Sequence, residues 1–462
     1  MDVNNKKIYE NIICPFCFNE PNDGDGNPFS HEEVCFRISD ASIKDDNSGT
    51  TDTSLSESVQ MMLNNSKDKK SDTIKKNEYR KIRDNIYIDF WTGLNPDITQ
   101  LLNPVIEPEK YNTDQYKKKY AKSGMLEAII DEYGNRTTDR LCPYCHNSLP
   151  KNYGQFVTKF ISVVGVTGCG KTVFISQLLK KFAELLANSC GIDATLSTYA
   201  EQFYRKQYPI SSGKKLPESS QRNILKKDLI TIDLAGAMLK NKVTLVLYDI
   251  AGENCVYPDR MEKFGPFICH ANAILMLLDP YQFDSLTGDL PTRKRKSNDD
   301  EEMLAPNKVI NIMYELFLKS KYGNEKADIP IALTFAQSDL LYNGDLFNRQ
   351  SNIFHKIEYK TKGFQKNQHY NLSKDLERKV FIGSHKDVLL SAKSKFIFAD
   401  CFAISSLGID TKINESGILI SRDSIPHRIE EPLLWVLNKF GYIREIQSSG
   451  IKSNKKKKGL FK

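Results

Sequence analysis

The residues with the most specific chemistry are eight consecutive positions, Gly165 to Thr172, with the sequence GVTGCGKT. They fill every fixed position of the pattern G-x4-G-K-[ST], in which backbone amides cradle phosphates. Lys171 would reach the β- and γ-phosphates of a nucleoside triphosphate, and the hydroxyl of Thr172 would bind Mg²⁺. The predicted ligand contacts of this phosphate loop are Gly165, Thr167, Gly168, Cys169, Gly170, Lys171, Thr172 and Val173.

Four cysteines form a second chemical pattern, two C-x-x-C pairs. These are Cys14 with Cys17 and Cys142 with Cys145. Two thiolates two residues apart can bind one ion through a tight turn, and two such turns complete a tetrahedral zinc site. The pairs are far apart in the sequence, but the cost of closing a loop grows only logarithmically with its length. We expect a structural Zn²⁺ site, with Cys35 and His146 as reserve ligands; the alternative is two unrelated buried cysteine pairs.

Composition limits the class of protein. The chain has 462 residues, 40% of them hydrophobic, and a formal net charge of +7, so we expect two or three domains. It has no apolar run long enough for a membrane span, and its N-terminus does not resemble a signal peptide. We therefore expect a cytoplasmic protein, in which paired cysteines bind metal rather than form disulfides.

The elements around the phosphate loop follow the arrangement that it requires. An apolar run over 160–164 predicts a buried strand before the loop, and helical spacing over 173–187 predicts a helix after it. Further strands are predicted over 228–235 and 243–249, which should pair as a hairpin, and over 273–278, 329–335 and 395–404. Helices are predicted over 307–322 and 432–439. This alternation predicts an α/β P-loop NTPase fold with a mostly parallel sheet and helices on both faces.

Polar loops follow four of the predicted strands, after Val164, Asp249, Phe335 and Ile404. Nucleotides bind at the carboxyl ends of parallel strands, so these loops are expected to share one ligand. Asp249 ends its strand within the stretch DIAGE, where a carboxylate can hold Mg²⁺. The amide of Gly252 is placed to contact the γ-phosphate.

The order GVTGCGKT, DIAGE, AQSD, SSLG resembles the phosphate loop, D-x-x-G motif, base motif and S-A-type loop of Ras-like GTPases. The resemblance covers Phe156 to Phe440 and implies that the chain binds GTP or GDP with Mg²⁺. It implies base contacts by Gln337, Asp339, Ser406 and Leu407. The carboxylate of Asp339 can accept two N–H groups from guanine, a pair that adenine does not offer. Gln337 stands where lysine is usual, which implies a lower affinity.

Two further roles are implied by the same resemblance. Glu253 follows the D-x-x-G motif where a water-orienting glutamine is common, so it is a catalytic candidate beside Lys171, with slow or partner-stimulated hydrolysis expected. A switch hydroxyl that binds Mg²⁺ should lie before the strand predicted to begin at Asp228, in or next to residues 199–221, a segment without clear periodicity where a mobile switch could lie. Ser220 is the first candidate for it, with Ser219 and Thr198 as alternatives.

Together with the cysteine pairs, the motif order further resembles zinc-ribbon double-GTPase proteins of bacteria, which are associated with multi-gene conflict or defence systems. The resemblance implies a guanine-nucleotide fold with a zinc module in front, and we expect a nucleotide-dependent switch or scaffold with a protein partner that senses nucleotide state. Two alternatives remain open: a P-loop NTPase that uses ATP, and a non-enzymatic nucleic-acid-binding scaffold stabilised by nucleotide.

The predicted domains are a split zinc-ribbon module over 1–150, the nucleotide domain over 151–445 and a basic flexible tail over 446–462. Within the first, residues 40–76 are expected to be disordered, residues 79–96 to contain a strand and residues 111–125 to form a solvated helix face. Within the second, insertions are expected near 287–306 and 341–385. The tyrosine- and lysine-rich residues 111–125 and the tail are the surfaces that the nucleic-acid alternative would use.

Overall fold

The computed structural model describes residues 11–19, 27–39, 81–92, 101–132, 134–165, 168–217, 229–236, 239–250, 266–291, 305–342, 344–348, 350–357, 363–408, 412–414, 418–420 and 425–446. The predicted disordered insertion (40–76) and all of the predicted tail after residue 446 lie outside these ranges. The chain divides into two compact units. Among the described residues, the first runs to Thr158 and includes Leu229, and the second comprises the remainder.

The first unit contains two antiparallel three-stranded sheets, in the orders β2-β1-β6 and β3-β4-β5. Their strands are β1 (Cys35–Arg37), β2 (Val105–Ile106), β3 (Lys117–Tyr120), β4 (Leu126–Ile130), β5 (Arg136–Thr137) and β6 (Asp139–Leu141). Two helices accompany them, α1 (Asn85–Thr92) and α2 (Pro108–Tyr111).

Two sequence predictions in this unit are wrong. Within the segment 79–96, residues 85–92 form helix α1 instead of a strand, because Ile88 and Trp91 bury one face at helical spacing and the Asp84 carboxylate accepts the amide of Tyr87 at 3.1 Å. Residues 111–125 contain strand β3 instead of a helix face. The partner that decides this is β4, which pairs antiparallel with β3 after a turn at Gly124, whose φ is +91°.

The second unit is built on a seven-stranded sheet in the order β14-β12-β11-β7-β10-β9-β8. Its strands are β7 (Val157–Gly165), β8 (Asp193–Leu196), β9 (Ile230–Ala235), β10 (Val243–Asp249), β11 (Ala273–Leu278), β12 (Ala327–Phe335) and β14 (Phe396–Ala403). Strands β14, β12, β11 and β7 are parallel to one another, whereas β10 pairs antiparallel with β9 and β9 with β8. The predicted mostly parallel sheet with its hairpin is confirmed, and the edge strand β8 is an addition to it.

The helices of the second unit are α3 (Lys171–Leu185), α4 (Thr198–Gln202), α5 (Pro266–Cys269), α6 (Pro306–Met313), α7 (Lys319–Tyr322), α8 (Lys366–Lys379), α9 (Lys386–Lys395) and α10 (Glu431–Lys439). A short parallel pair, β13 (Phe364–Gln365) and β15 (Glu445–Ile446), completes it. No helix among the described residues combines the length and apolarity that a membrane crossing requires.

Helices cover both faces of the large sheet, because its central strands alternate their side chains between two apolar clusters. Leu275 and Leu277 of β11 lie in the cluster that contains α3 and α10. Ile274 and Met276 lie in the cluster that contains α6 and α9. A strand that is buried on both faces has a continuous run of apolar residues, and such runs predicted the central strands from the sequence.

Two segments of this unit hold more structure than the sequence suggested. The segment 199–221 begins in helix α4 and continues as a π-helical turn over Phe203–Gln207. Ser197 caps α4, because its hydroxyl accepts a hydrogen bond from the amide of Ala200. The polar insertion 341–385 contains α8, where buried Leu372 and Leu376 lie one helical turn apart.

Candidate functional site

The phosphate loop lies where β7 ends and α3 begins, and two of its glycines are required by geometry. A Cβ on Gly165 would lie 2.7 Å from the carbonyl oxygen of Leu277 and 2.8 Å from the sulfur of Cys169. Gly170 caps α3 in the left-handed conformation, with φ at +90°. The loop therefore passes close to strand β11 and turns sharply into the helix.

Lys171 is buried, and its Nζ donates to the carbonyl oxygen of Gly165 at 2.7 Å, across the loop. An ammonium has three donors, so two remain for an anion. The first helical hydrogen bond runs from the amide of Phe174 to the carbonyl of Gly170. The amides that precede it have no acceptor within the helix, and with the helix dipole they form an anion-binding end.

Two acidic residues end the strands on either side of β7. Asp249 is the last residue of β10, and Asp279 follows β11 directly. Burial raises the pKa of the Cys169 thiol, and both carboxylates raise it further while Lys171 lowers it. Asp279 is fully buried and accepts the amide of Tyr281 at 3.0 Å, which gives it a structural role as a cap.

The predicted base motif lies against the phosphate loop. Nε2 of Gln337 donates to the carbonyl oxygen of Gly168 at 3.2 Å. Asp339 follows within the 3₁₀ turn Ser338–Leu341, directly after β12. The structure therefore brings the carboxyl ends of β7 and β12 together, as the order of motifs required.

Ser405 is the residue that fixes the Asp339 carboxylate. Its hydroxyl donates to Oδ1 of Asp339 at 2.6 Å and accepts the amide of Gly408 at 2.7 Å. Burial raises the pKa of Asp339, and the Ser405 hydrogen bond opposes that rise. Ser405 was not among the predicted site residues, although its position, directly after the β14 strand and Ile404, was a signal for it.

The loop 405–408, here called the base loop, holds the other predicted base contacts beside Ser405. Ser406 is buried, and its hydroxyl has no hydrogen-bond partner among the described residues. Leu407 is half-buried. The loop is fixed by its backbone, since Ser405 and His427 exchange N–H···O bonds of 3.0 and 2.8 Å.

Of the remaining predicted contacts, some lie within the described residues and others lie outside them. Thr172 is buried in the first turn of α3, and Thr198 opens helix α4. Val173 follows Thr172 in the same turn. Five predicted or alternative residues lie outside the described residues: Thr167, Ser219, Ser220, Gly252 and Glu253.

The four paired cysteines of the first unit converge on one point. Their sulfur atoms all lie within 4.8 Å of one another. The sulfur atoms of Cys14 and Cys145 lie 3.7 Å apart, as do those of Cys17 and Cys142. Tetrahedral Zn–S bonds of about 2.3 Å place sulfur atoms about 3.8 Å apart, so this group can hold a zinc ion.

The two cysteine turns repeat one geometry. The sulfur of Cys14 accepts the amide of Phe16 at 3.3 Å, and that of Cys142 accepts the amide of Tyr144 at 3.4 Å. Asn147 donates from Nδ2 to the sulfur of Cys145 at 3.2 Å. Burial raises the pKa of the Cys14 and Cys142 thiols, whereas at Cys145 burial is outweighed by hydrogen bonds from the other three thiols and from Asn147, which lower the pKa. A bound cation would favour the thiolate form of all four.

The reserve ligands are used elsewhere. Nδ1 of His146 lies 2.9 Å from Oδ1 of Asp84, and Asp84 also accepts Arg37 at 2.8 Å. Cys35 is buried in β1, outside the four-sulfur group. Among the described residues, the metal-binding group therefore consists of the two C-x-x-C pairs alone.

Known proteins resemble parts of this chain. No protein-family model matches it. The putative ESX-1 scaffolding and assembly protein SaeC of Mycolicibacterium smegmatis is 26% identical over 162 residues, 32% of this chain and 40% of that protein. The match thus spans about two fifths of the length of that curated relative.

Two solved structures are similar at a low level. The signal recognition particle receptor SRb-GTP/SRX complex of Chaetomium thermophilum matches 54% of this chain and 91% of its own, at 12% identity and a TM-score of 0.23. A single-residue variant of Era of Aquifex aeolicus bound to GDP.AlF4- matches 63% of this chain and 58% of its own, at 12% identity and a TM-score of 0.24. These values do not assign the chain to a family.

Proposed function

We propose that this protein is a Mg²⁺-dependent guanine-nucleotide-binding switch or scaffold with slow or partner-stimulated GTP hydrolysis. The hydrogen bond from Gln337 to the carbonyl of Gly168 supports the proposal most directly. It joins the loop that carries Asp339 to the phosphate loop, so a single nucleotide can reach both.

The triphosphate would lie over the amides at the start of α3, with Lys171 turning its ammonium toward the β- and γ-phosphates. Thr172 would bind Mg²⁺ directly, and Asp249, which ends the neighbouring strand β10, would hold it as well. Ser220 and the amide of Gly252 complete this set as predictions from sequence.

The base would be selected by Asp339. Ser405 occupies one acceptor position on Oδ1 at 2.6 Å, and an ionised carboxylate has about four such positions. The remaining positions can accept the N1–H and N2–H of guanine. Adenine presents an acceptor at N1 and no amino group at C2, so it would leave the partly buried Asp339 carboxylate with no donor from the base, which is costly.

Hydrolysis would depend on Glu253. A carboxylate there can orient water, but its charge lies near the anionic γ-phosphate, so we expect slow turnover unless a partner supplies a further group. Single-turnover hydrolysis by wild type and Glu253→Gln tests this expectation. A wild type that hydrolyses GTP faster than the variant would contradict it.

The curated relative is named as a scaffolding and assembly protein. That name favours a scaffold over a metabolic enzyme as the role of this chain. The four-cysteine group supports it too, because a closed tetrahedral metal site leaves no open position for catalysis. We propose that the metal is structural Zn²⁺ and that nucleotide state controls a protein partner.

Calorimetric titration with GTP, GDP, ATP and XTP tests the nucleotide assignment. Wild type should prefer GTP to ATP by at least about 100-fold, because a site built to pair polar groups rejects a ligand that lacks them. Asp339→Asn should have lower affinity for GTP and higher affinity for XTP, because the 2-carbonyl oxygen of XTP accepts a hydrogen bond from the new amide. Equal affinity for GTP and ATP overturns the base assignment.

Lys171→Ala tests the phosphate loop in the same titration. It should abolish nucleotide binding, because the ammonium and the loop amides act on the same phosphates. Retention of wild-type GTP affinity by this variant would show that the phosphate-loop assignment is wrong.

A further inference from the structure

Residues 213–215 are hydrogen-bonded to a hairpin that lies far away in the sequence. The amide of Gly213 donates to the carbonyl of Leu419 at 2.8 Å, and the amide of Leu419 donates to the carbonyl of Lys214 at 3.0 Å. Lys215 and Ile418 form an antiparallel bridge beside them. The segment that leads from α4 toward β9 is therefore held by the loop region that follows β14.

The hairpin is a small antiparallel ribbon with residues 418–420 in its middle. On their other side, the backbone amide of Asn414 donates to the carbonyl oxygen of Ile418 at 3.0 Å. The backbone amide of Ile420 donates to the carbonyl oxygen of Lys412 at 2.9 Å. The Leu419 side chain is buried, with 1% of its surface exposed. We call residues 213–215, 412–414 and 418–420 the connecting ribbon.

Both ends of the segment that carries the connecting ribbon are fixed at the base loop. Before the ribbon, the amide of Gly408 donates to the Ser405 hydroxyl that holds Asp339. After it, the backbone of Ile425 packs closely against Gly408. A Cβ on Gly408 would lie 2.2 Å from the carbonyl oxygen of Ile425. His427 then pairs with the backbone of Ser405. The described residues that precede and follow the ribbon in the sequence, 405–408 and 425–427, are thus bonded to one another at the base loop.

The other strand of the connecting ribbon leads back to the phosphate-loop helix. Residues 213–215 follow Tyr208, whose carbonyl accepts the hydroxyl of Ser176 in α3 at 2.7 Å. The stretch 208–215 is thus anchored to α3 at one end and to the base loop, through the ribbon, at the other.

We propose that the connecting ribbon transmits occupancy of the base site to residues 208–215. This inference rests on the proposed function, since it requires guanine at Asp339. Guanine would fix the Asp339 carboxylate and with it Ser405 and Gly408, which stabilises the hydrogen bonds between Leu419 and residues 213–214. Coupling between sites is reciprocal, so loss of the ribbon must weaken binding of the base.

Amide hydrogen exchange with two ligands tests the inference on the wild-type protein. Mg²⁺–GDP fills both the base site and the phosphate loop, whereas Mg²⁺–tripolyphosphate fills the phosphate loop alone. Protection of residues 170–173 reports phosphate-loop occupancy, and tripolyphosphate is raised until that protection matches GDP. Exchange of Gly213 and Leu419 should slow about tenfold with GDP and stay unchanged with tripolyphosphate.

Two results overturn the inference. Equal protection of Gly213 and Leu419 by both ligands would assign the effect to the phosphates, and no change with bound GDP would exclude coupling. In both cases residues 170–173 are protected, so the proposed function stands. If GDP protects neither region, the proposed function fails and the inference fails with it.

A matched pair of variants gives the reciprocal test. Leu419→Pro removes the amide that donates to Lys214, while Leu419→Ala keeps that amide and truncates the side chain. We expect Leu419→Pro to weaken GDP binding about five- to tenfold relative to Leu419→Ala, with equal tripolyphosphate affinity in both. Equal GDP affinity of the two variants overturns the role of the hydrogen bond. Circular dichroism confirms that both remain folded.

Discussion

The side-chain amide of Gln337 lies 3.2 Å from the carbonyl oxygen of Gly168, so the loop after β12 is tied to the phosphate loop by a neutral hydrogen bond. A lysine is usual at this position in the Ras-like GTPases that the sequence resembles. Glutamine supplies the same kind of donor to the same loop without the charge. The hydrogen bond between the two loops is therefore made without a charged donor, and the ammonium of a lysine is absent from this position.

Gln337 should contribute to nucleotide affinity through this hydrogen bond. Gln337→Ala removes a bond worth about 1 kcal/mol, so the dissociation constant for GTP should rise about fivefold. Gln337→Lys keeps a donor and adds a positive charge, so its affinity should equal or exceed that of wild type. Calorimetry measures both, and unchanged affinity in Gln337→Ala would contradict the role given to this contact.

Ser405 should be required for base selection, and its neighbour Ser406 supplies the control. Ser405→Ala removes the 2.6 Å hydrogen bond to Asp339, which leaves the partly buried carboxylate with one donor fewer. We expect GTP affinity to fall about tenfold and the preference over ATP to shrink. Ser406→Ala removes a hydroxyl that makes no hydrogen bond among the described residues, so both quantities should change little. If Ser406→Ala lowered GTP affinity more than Ser405→Ala, the hydroxyl required for base selection would be that of Ser406.

The four-sulfur group should bind one Zn²⁺ per chain. Cys17→Ser replaces one thiolate, so metal content measured by mass spectrometry should fall and the first unit should lose thermal stability. Cys35→Ser is the matched control because Cys35 is a buried cysteine outside the group, and burial raises its pKa to about 12. Its zinc content should match wild type. Full zinc content in Cys17→Ser would exclude this group as the site.

Acid should destabilise the second unit through Glu431. Burial raises the pKa of this carboxyl, but Arg428 and His369 outweigh it and lower the pKa from 4.5 to about 2. Arg428 donates to both carboxylate oxygens, at 2.5 and 2.7 Å. Because the folded-state pKa is lowered, the stabilisation is present above about pH 4.5 and is lost as pH falls toward 2. Its size at neutral pH is on the order of 3 kcal/mol.

The control for that prediction is Glu431→Gln, which cannot ionise. It should melt at a lower temperature than wild type at pH 7, and the difference should narrow as pH falls from 5 to 3. His369 acts in the opposite direction, because its raised pKa stabilises the fold at low pH and that contribution is lost as pH rises. A melting-temperature difference that is constant from pH 7 to pH 3 would show that Glu431 does not carry the acid response.

Local pattern was sufficient for much of the second unit. The central strands β7, β11 and β12 are buried on both faces, so their apolar runs are continuous and the expected strands agree closely with the observed ones. The first unit was harder to predict. Its small sheets are half-exposed, and strand β3 with its consecutive lysines Lys117, Lys118 and Lys119 gives no apolar signal. Only its pairing with β4 makes it a strand.

From its sequence alone this protein could be assigned a phosphate loop between a strand and a helix, two cysteine pairs suited to one metal ion, and an α/β sheet. These follow from short-range spacing, which a single segment records. Tertiary structure alone decided that Gln337 contacts Gly168, that Ser405 rather than Ser406 holds Asp339, and that the cysteine pairs meet. Such contacts join residues more than sixty positions apart. Sequence spacing does not record them, because they depend on how whole strands are ordered in the sheet and on which loops that order brings to the same edge.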